Sequence, residues 1–325
     1  MPRQNDKVNK SNPIKDKEMK HFNSNFAALL GVALFSAVMS LSSCSKDAEE
    51  VLNTLNNENV GCAPVRVHVS DFSCSVGDLP GTRSAESPSD YDNVKVMTLA
   101  FYDGTTEVYS ETQLKSDPST YETFGDFNCN LPIGSYTMVV IGRGAGNDDV
   151  FTLTSPTVAA YTSDKVRETF AKTQSVTIAG TAPVDLGEIT LERVVSQLGI
   201  ITTDTRPENA VKVRITFGGG SKSFSPATGL AVDDAGFMTI ITPTSAVDAV
   251  IKIGNFLFLA SDEEDMDITI EVLDASDKVI YTKVVEDVPF KRNRTTYLHG
   301  ALFNGSMSSS FKLETTWLTK VDISF

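Results

Sequence analysis

The residue best placed for chemistry is Cys44. It closes Leu41-Ser42-Ser43-Cys44, directly after an apolar run from Phe26 to Met39. That run follows Arg3, Lys7, Lys10, Lys15, Lys17 and Lys20. A basic stretch, a short apolar stretch and small residues before a cut make a secretory signal peptide. A cysteine just past the cut adds thiol chemistry: diacylation and fatty acylation, for example with palmitate, and loss of residues 1–43. The apolar run is shorter than the ~20 residues a bilayer span requires. Two or three acyl chains hold a protein firmly on a membrane. The expectation is a lipoprotein anchored through Cys44 outside the cytoplasm. A start at Met19 would leave a signal peptide of ordinary length.

Other reactive residue types do not assemble. His21 leaves with the signal, and His68 and His299 sit in strand-like segments with no carboxylate or Cys motif around them. Gly142-Arg143-Gly144-Ala145-Gly146 follows a strand, but a second strand comes after it, and a phosphate cradle needs a helix N-terminus there. Gly218-Gly219-Gly220 lacks the phosphate-loop spacing and reads as a hairpin or loop. Ser261–Asp267 is rich in carboxylates without the order of a calcium loop, and reads as a solvated turn. No hydrolase or metalloprotease motif emerges. The expectation is no enzyme, no cofactor and no metal. Cys62, Cys74 and Cys129 are an odd set without zinc spacing. Cys74 and Cys129 could pair if their strands are neighbours; otherwise all three are small buried residues.

The chain carries a formal charge of −14. Residues 1–43 hold six Lys/Arg and three Asp/Glu, so the remainder has 22 basic and 39 acidic residues, a charge of −17. That excludes nucleic acid as a partner, since phosphate contact needs basic clusters. It also leaves membrane attachment to the lipid. Ser45-Lys46-Asp47-Ala48-Glu49-Glu50 either resembles a surface-export signal of outer-membrane lipoproteins or is a solvated tether.

The elements that must carry any function alternate with period two. Residues 44–62 are polar and Asn-rich, a tether. Val65, Val67 and Val69 share one face; Phe72 and Cys74 continue out of phase, which a bulge near Ser70-Asp71 would explain. Met97/Leu99/Phe101, Tyr136/Met138/Val140, Val211/Val213/Ile215/Phe217 and Ile268/Ile270/Val272 repeat the pattern before turn residues. Phe311–Phe325 is extended in character. Asp164–Lys172 is the best helical stretch, with Ser163 as a cap and Val166/Phe170 at i,i+4. The expectation is an all-β protein of two β-sandwich domains in tandem, residues 63–188 and 189–325.

Four stretches resemble fimbrillin-type subunits of type V pili. They are Arg83 with the strand Val94–Gly104; Leu131–Gly142; Leu191-Glu192-Arg193-Val194-Val195-Ser196-Gln197-Leu198-Gly199-Ile200; and Val288-Pro289-Phe290-Lys291-Arg292-Asn293 running on to Gly300. The resemblance implies two transthyretin-like domains. In stalk subunits of that family an Arg-specific protease removes the first strand with the lipid, and another subunit's strand fills the groove. Arg83 would be the processing site, in a loop-like Leu79–Ser84. Val65, Val67, Val69 and Phe72 would be the pocket residues of the leaving strand. The candidate donor strand carries Phe311, Leu313, Trp317, Val321, Ile323 and Phe325, unless it pairs within its own domain. The family also has tip subunits and anchor subunits that keep the lipid.

The implied function is a subunit of a surface fimbrium, an adhesion role at the outer membrane. Its partners would be other pilus subunits, the protease and the lipid. A surface glycan-binding lipoprotein is second: it would need an aromatic platform, and Trp317 is the sole tryptophan. A hydrolase on a sandwich scaffold is third, lacking a catalytic constellation.

Overall fold

The computed structural model describes residues 61–75, 83–146, 150–163, 165–303 and 312–317. The signal segment, Cys44, the tether up to residue 60, and Phe311, Val321, Ile323 and Phe325 lie outside the described residues.

The first ten strands are β1 (Cys62–Ser75), β2 (Arg83–Glu86), β3 (Val96–Asp103), β4 (Thr106–Leu114), β5 (Asp126–Pro132), β6 (Gly134–Arg143), β7 (Phe151–Ser155), β8 (Val158–Tyr161), β9 (Thr169–Ile178) and β10 (Val184–Arg193). The other nine are β11 (Ser196–Thr202), β12 (Lys212–Phe217), β13 (Ser223–Phe224), β14 (Phe237–Ile241), β15 (Lys252–Leu257), β16 (Glu263–Leu273), β17 (Val279–Lys291), β18 (Arg294–Gly300) and β19 (Lys312–Trp317). Among the described residues the sole helical element is a 3₁₀ turn at Pro118–Thr120. The all-β expectation holds.

Eight strands form one sheet: seven follow the hydrogen-bonded path β2-β1-β10-β9-β6-β3-β4, and β5 pairs with β1 off that path. The β9–β10 seam has rungs only at Ala171↔Glu192 and Phe170↔Arg193. The sheet folds over at that seam, because the inward residues on its two sides meet in one core. Leu99, Phe101, Met138, Val140 and Phe170 from one side pack with Val65, Val67, Phe72, Phe127 and Leu191 from the other. Period-two alternation is what gives each layer its apolar face.

A second core lies between the sheets β15-β11-β18-β19 and β14-β12-β16-β17. Leu198, Ile200 and Leu298 from one sheet meet Ile215, Phe217, Ile268, Ile270 and Phe290 from the other. A third cluster joins residues of both halves: Tyr102 and Ile141 with Tyr161, Val195, Phe224 and Phe258. The three-stranded sheet β13-β8-β7 feeds this cluster. The expected division at residue 188 falls inside β10, which contributes to the first core as far as Leu191.

Two expectations change. The helix expected over Asp164–Lys172 does not form in the described part of that stretch: residues 165–168 are irregular and Thr169 opens β9. The ten β9 residues pair rung by rung with β6, and this tertiary pairing overrides a weak local pattern. The acidic run is not simply a turn either. Glu263 to Asp267 belong to β16, with Met266 buried between exposed Asp265 and Asp267.

Candidate functional site: the groove of the first strand

β1 is an interior strand. It runs parallel to β10 from Val65↔Val184 to Ser73↔Glu192. Its other edge is covered first by antiparallel β5, over Cys62↔Pro132 to His68↔Asp126, then by β2, over Phe72↔Glu86 to Ser75↔Arg83. The pairing with β10 shifts twice, between Arg66 and His68 and between Val69 and Asp71. The second shift is the bulge expected at Ser70-Asp71, and it keeps Phe72 on the face of Val69. The first is answered on β10 by Gly187, whose φ of 71° suits a bulge residue without Cβ.

The inward residues fill the core. Val65, Val67, Val69 and Phe72 are at most 2% exposed. Each side chain of this type stabilises by about 1.5–3 kcal/mol on burial. Phe72 sits deepest. Its ring centroid lies 5.5 Å from Tyr91 and 4.8 Å from Phe170. It also rests on the backbone of β6, where a Cβ added to Gly142 would come within 2.8 Å of its ring.

Under this aromatic trio lies a buried polar network. Tyr91 Oη donates to Glu168 Oε1 at 2.7 Å and Asn93 Nδ2 to Glu168 Oε2 at 3.0 Å. Arg193 Nη2 stands 2.8 Å from Glu168 Oε1, with both side chains almost inaccessible. The Arg193 guanidinium covers the Phe170 ring at 4.9 Å. Arg193 Nη1 donates to Asn293 Oδ1 at 2.7 Å. Two of the motif stretches therefore meet in space. Tyr91 and Glu168 had no local signal in the sequence, because their partners are remote in the chain.

The outer face of β1 carries two basic residues in its first half, Arg66 and His68, and Asp71 past the bulge. Arg66 lies opposite Asp185 and Asn128, and His68 opposite Glu188 and Asp126. His68 Nδ1 contacts Asp126 Oδ1 directly. The carboxylate missing from the local motif around His68 is thus supplied by β5.

The remaining expected positions are placed as follows. Arg83 and Ser84 are not in a loop: they open β2, paired with Ser75 and Cys74. Leu313 and Trp317 lie on β19, which pairs antiparallel with β18 within its own half, Leu313 opposite Leu298 and Trp317 opposite Arg294. Cys129 is a free, buried thiol opposite Val65. Cys74 is nine rungs further along β1, about 30 Å at the usual rise, so these two do not pair although their strands are neighbours. Burial pushes the Cys129 thiol up to about 12, and the Glu111 charge adds to this. Among the described residues, no three His, Cys, Asp or Glu side chains group as metal ligands.

The fold resembles several solved structures at low identity. One is a proposed adhesin from Bacteroides ovatus, at 12% identity and a TM-score of 0.45, covering 75% of this chain and 87% of that one. Another is the tip fimbrial protein Mfa3 of Porphyromonas gingivalis, at 12% identity and 0.36, covering 79% and 99%. A third is the fimbrilin FimA of Porphyromonas gingivalis, at 11% identity and 0.39, covering 78% and 97%. No curated protein matches the chain. The model of a family of unknown function, DUF6562, matches residues 71–322.

Proposed function

We propose, from the premise that this chain belongs to the DUF6562 family, that it is a structural subunit of a surface fimbrium serving adhesion. It is exported as a lipoprotein on Cys44 and assembled by β-strand exchange after cleavage at Arg83. The observation that carries this is the setting of β1. It is the first of the described strands and precedes Arg83, yet it is paired on both edges and buries Val65, Val67, Val69 and Phe72. Its loss would leave unpaired backbone groups on β10 and β5 beside apolar pockets. Such a groove is costly in water and takes up an extended segment from another chain.

A second role, the lipid-retaining anchor subunit, is favoured by one observation. Arg83 is paired with Ser75 in β2, and a protease needs its substrate strand released from such pairing. The test is to treat the purified full chain with an Arg-specific protease and follow mass and size. Cleavage after Arg83 with growth of oligomers supports a polymerising subunit. Resistance at Arg83 with β1 retained supports the anchor. Cleavage to a stable monomer that has lost residues up to Arg83 sinks strand exchange.

A further inference from the structure

We infer that the groove of β1 selects its incoming strand by charge, and that the strand it takes is a basic-faced extended segment of a different chain. This rests on the strand-exchange function proposed above.

Each basic residue on the outer face of β1 meets a carboxylate on a neighbouring strand. Arg66 is opposite Asp185, and His68 is bracketed by Glu188 and Asp126. Arg66 Nη2 also stands 3.7 Å from Asp126 Oδ2. Further along, Ser73 is opposite Glu192. With β1 gone, Asp126, Asp185, Glu188 and Glu192 would flank the vacated position. Lys172 of β9 shares a shallow cavity with Glu188 and Glu192 and offsets part of that charge. Directly opposed unlike charges stabilise a strand pair and like charges destabilise it. An incoming strand therefore needs three alternating apolar residues inward, a further one past a bulge, and basic residues at the two outward positions between the first three.

The chain's own tail does not have this face. Its best apolar alternation, Val321-Asp322-Ile323-Ser324-Phe325, has Asp322 and Ser324 at the intervening positions. Inserted in the direction of β1, Asp322 would stand opposite Asp185. Inserted the other way, it would stand between Glu188 and Asp126. Phe311-Lys312-Leu313-Glu314 sets one lysine beside one glutamate. The acidic rim thus disfavours a homopolymer closed by this tail and favours a donor from another subunit.

The test uses the full chain with a specific protease site inserted between Ser75 and Arg83, nicked and mixed with fluorescent peptides. The peptides are residues 63–75, the same with Arg66→Glu and His68→Glu, residues 311–325, and that tail with Asp322→Lys and Ser324→Arg. The 63–75 peptide is expected to enter, and its glutamate form to bind about tenfold more weakly. The gap should narrow as salt rises. The tail should gain from its two basic substitutions. Asp185→Lys with Glu188→Lys in the protein should reverse the preference. Entry that ignores charge, or a tail that gains nothing, overturns the charge selection and leaves strand exchange standing. Entry of none of the peptides, 63–75 included, overturns both.

Discussion

Arg193 on β10 and Asn293 in the β17–β18 turn are bonded at 2.7 Å, although 100 residues separate them in the chain. Asn293 has a φ of 60°, a left-handed conformation that Asn tolerates, and its backbone N–H donates to Val195 O at 2.9 Å. The same guanidinium holds Glu168, which holds Tyr91, which packs on Phe72. One buried cation therefore touches both the seat of the first strand and the second half of the chain.

Removing that cation should be costly. Arg193→Met leaves Glu168 buried without its counter-charge and is expected to destabilise by about 3–5 kcal/mol. Asn293→Ala removes one charge-assisted bond and should cost about 1.5–3 kcal/mol. Replacing Glu168 and Arg193 together by leucine and methionine should recover most of the loss. Urea titration of the four proteins decides this: a double variant no better than Arg193→Met refutes the buried-pair account.

Gly142 and Phe72 should be coupled. Gly142→Ala puts a methyl within 2.8 Å of the Phe72 ring and 3.3 Å from Leu191, an overpacking expected to cost about 1–3 kcal/mol. Phe72→Ala alone should cost about 3–5 kcal/mol. Together they should cost less than their sum, because the truncated ring leaves room for the methyl. Additive losses in a double-mutant cycle would show that β6 and β1 do not face each other at this point.

Alkaline pH should loosen the first half. The Cys129 thiol, ordinarily near 9, is held up at about 12 by burial, and burial also raises the Tyr102 and Tyr109 hydroxyls, helped by Glu107 and Glu111 respectively. Each group keeps its proton better folded than unfolded. The contribution to stability is complete below the unfolded value, falls as pH rises above about 9, and is spent beyond the folded value. Denaturation midpoints between pH 8 and 12 should therefore decline, and Cys129→Ala should flatten part of the slope. Thiol reagents at pH 8 should label Cys129 only on unfolding; rapid labelling of the native protein would contradict its burial.

The proposed lipid attachment is tested at Cys44. Cys44→Ala is expected to leave the precursor uncut and to abolish incorporation of labelled palmitate. A Cys44→Ala protein that still matures and fractionates with membranes would remove the lipoprotein from the proposed function.

The alternations that bury one face were readable along the chain. Val65, Val67 and Val69, then Phe72 after a shift, fall where the period requires, with the bulge at Ser70-Asp71. The partners were not readable. β1 pairs with β10 and β5, and nothing near Val65 encodes Val184 or Cys129. Arg83 read as a loop because Pro80 and Gly81 precede it, whereas Ser75 fixes it in β2. The stretch around Phe170 mimicked a helix face through two spaced apolar residues that serve different clusters, Val166 the third and Phe170 the first. Glu168 looked like one acidic residue among many until Tyr91 and Arg193 closed on it.

The pairing of Val65 with Val184 also orders events in time. Hairpins such as β3–β4 and β16–β17 close across a few residues. The pairing of β1 with β10 must wait for a loop spanning most of the first half of the chain, at a greater entropic cost and a lower rate. Of the partners of β1, β2 follows after a short connection and β5 next, and β10 comes last. Until β10 is in place, the parallel edge of β1 stays open, and the folding chain holds an unpaired strand edge before any protease acts.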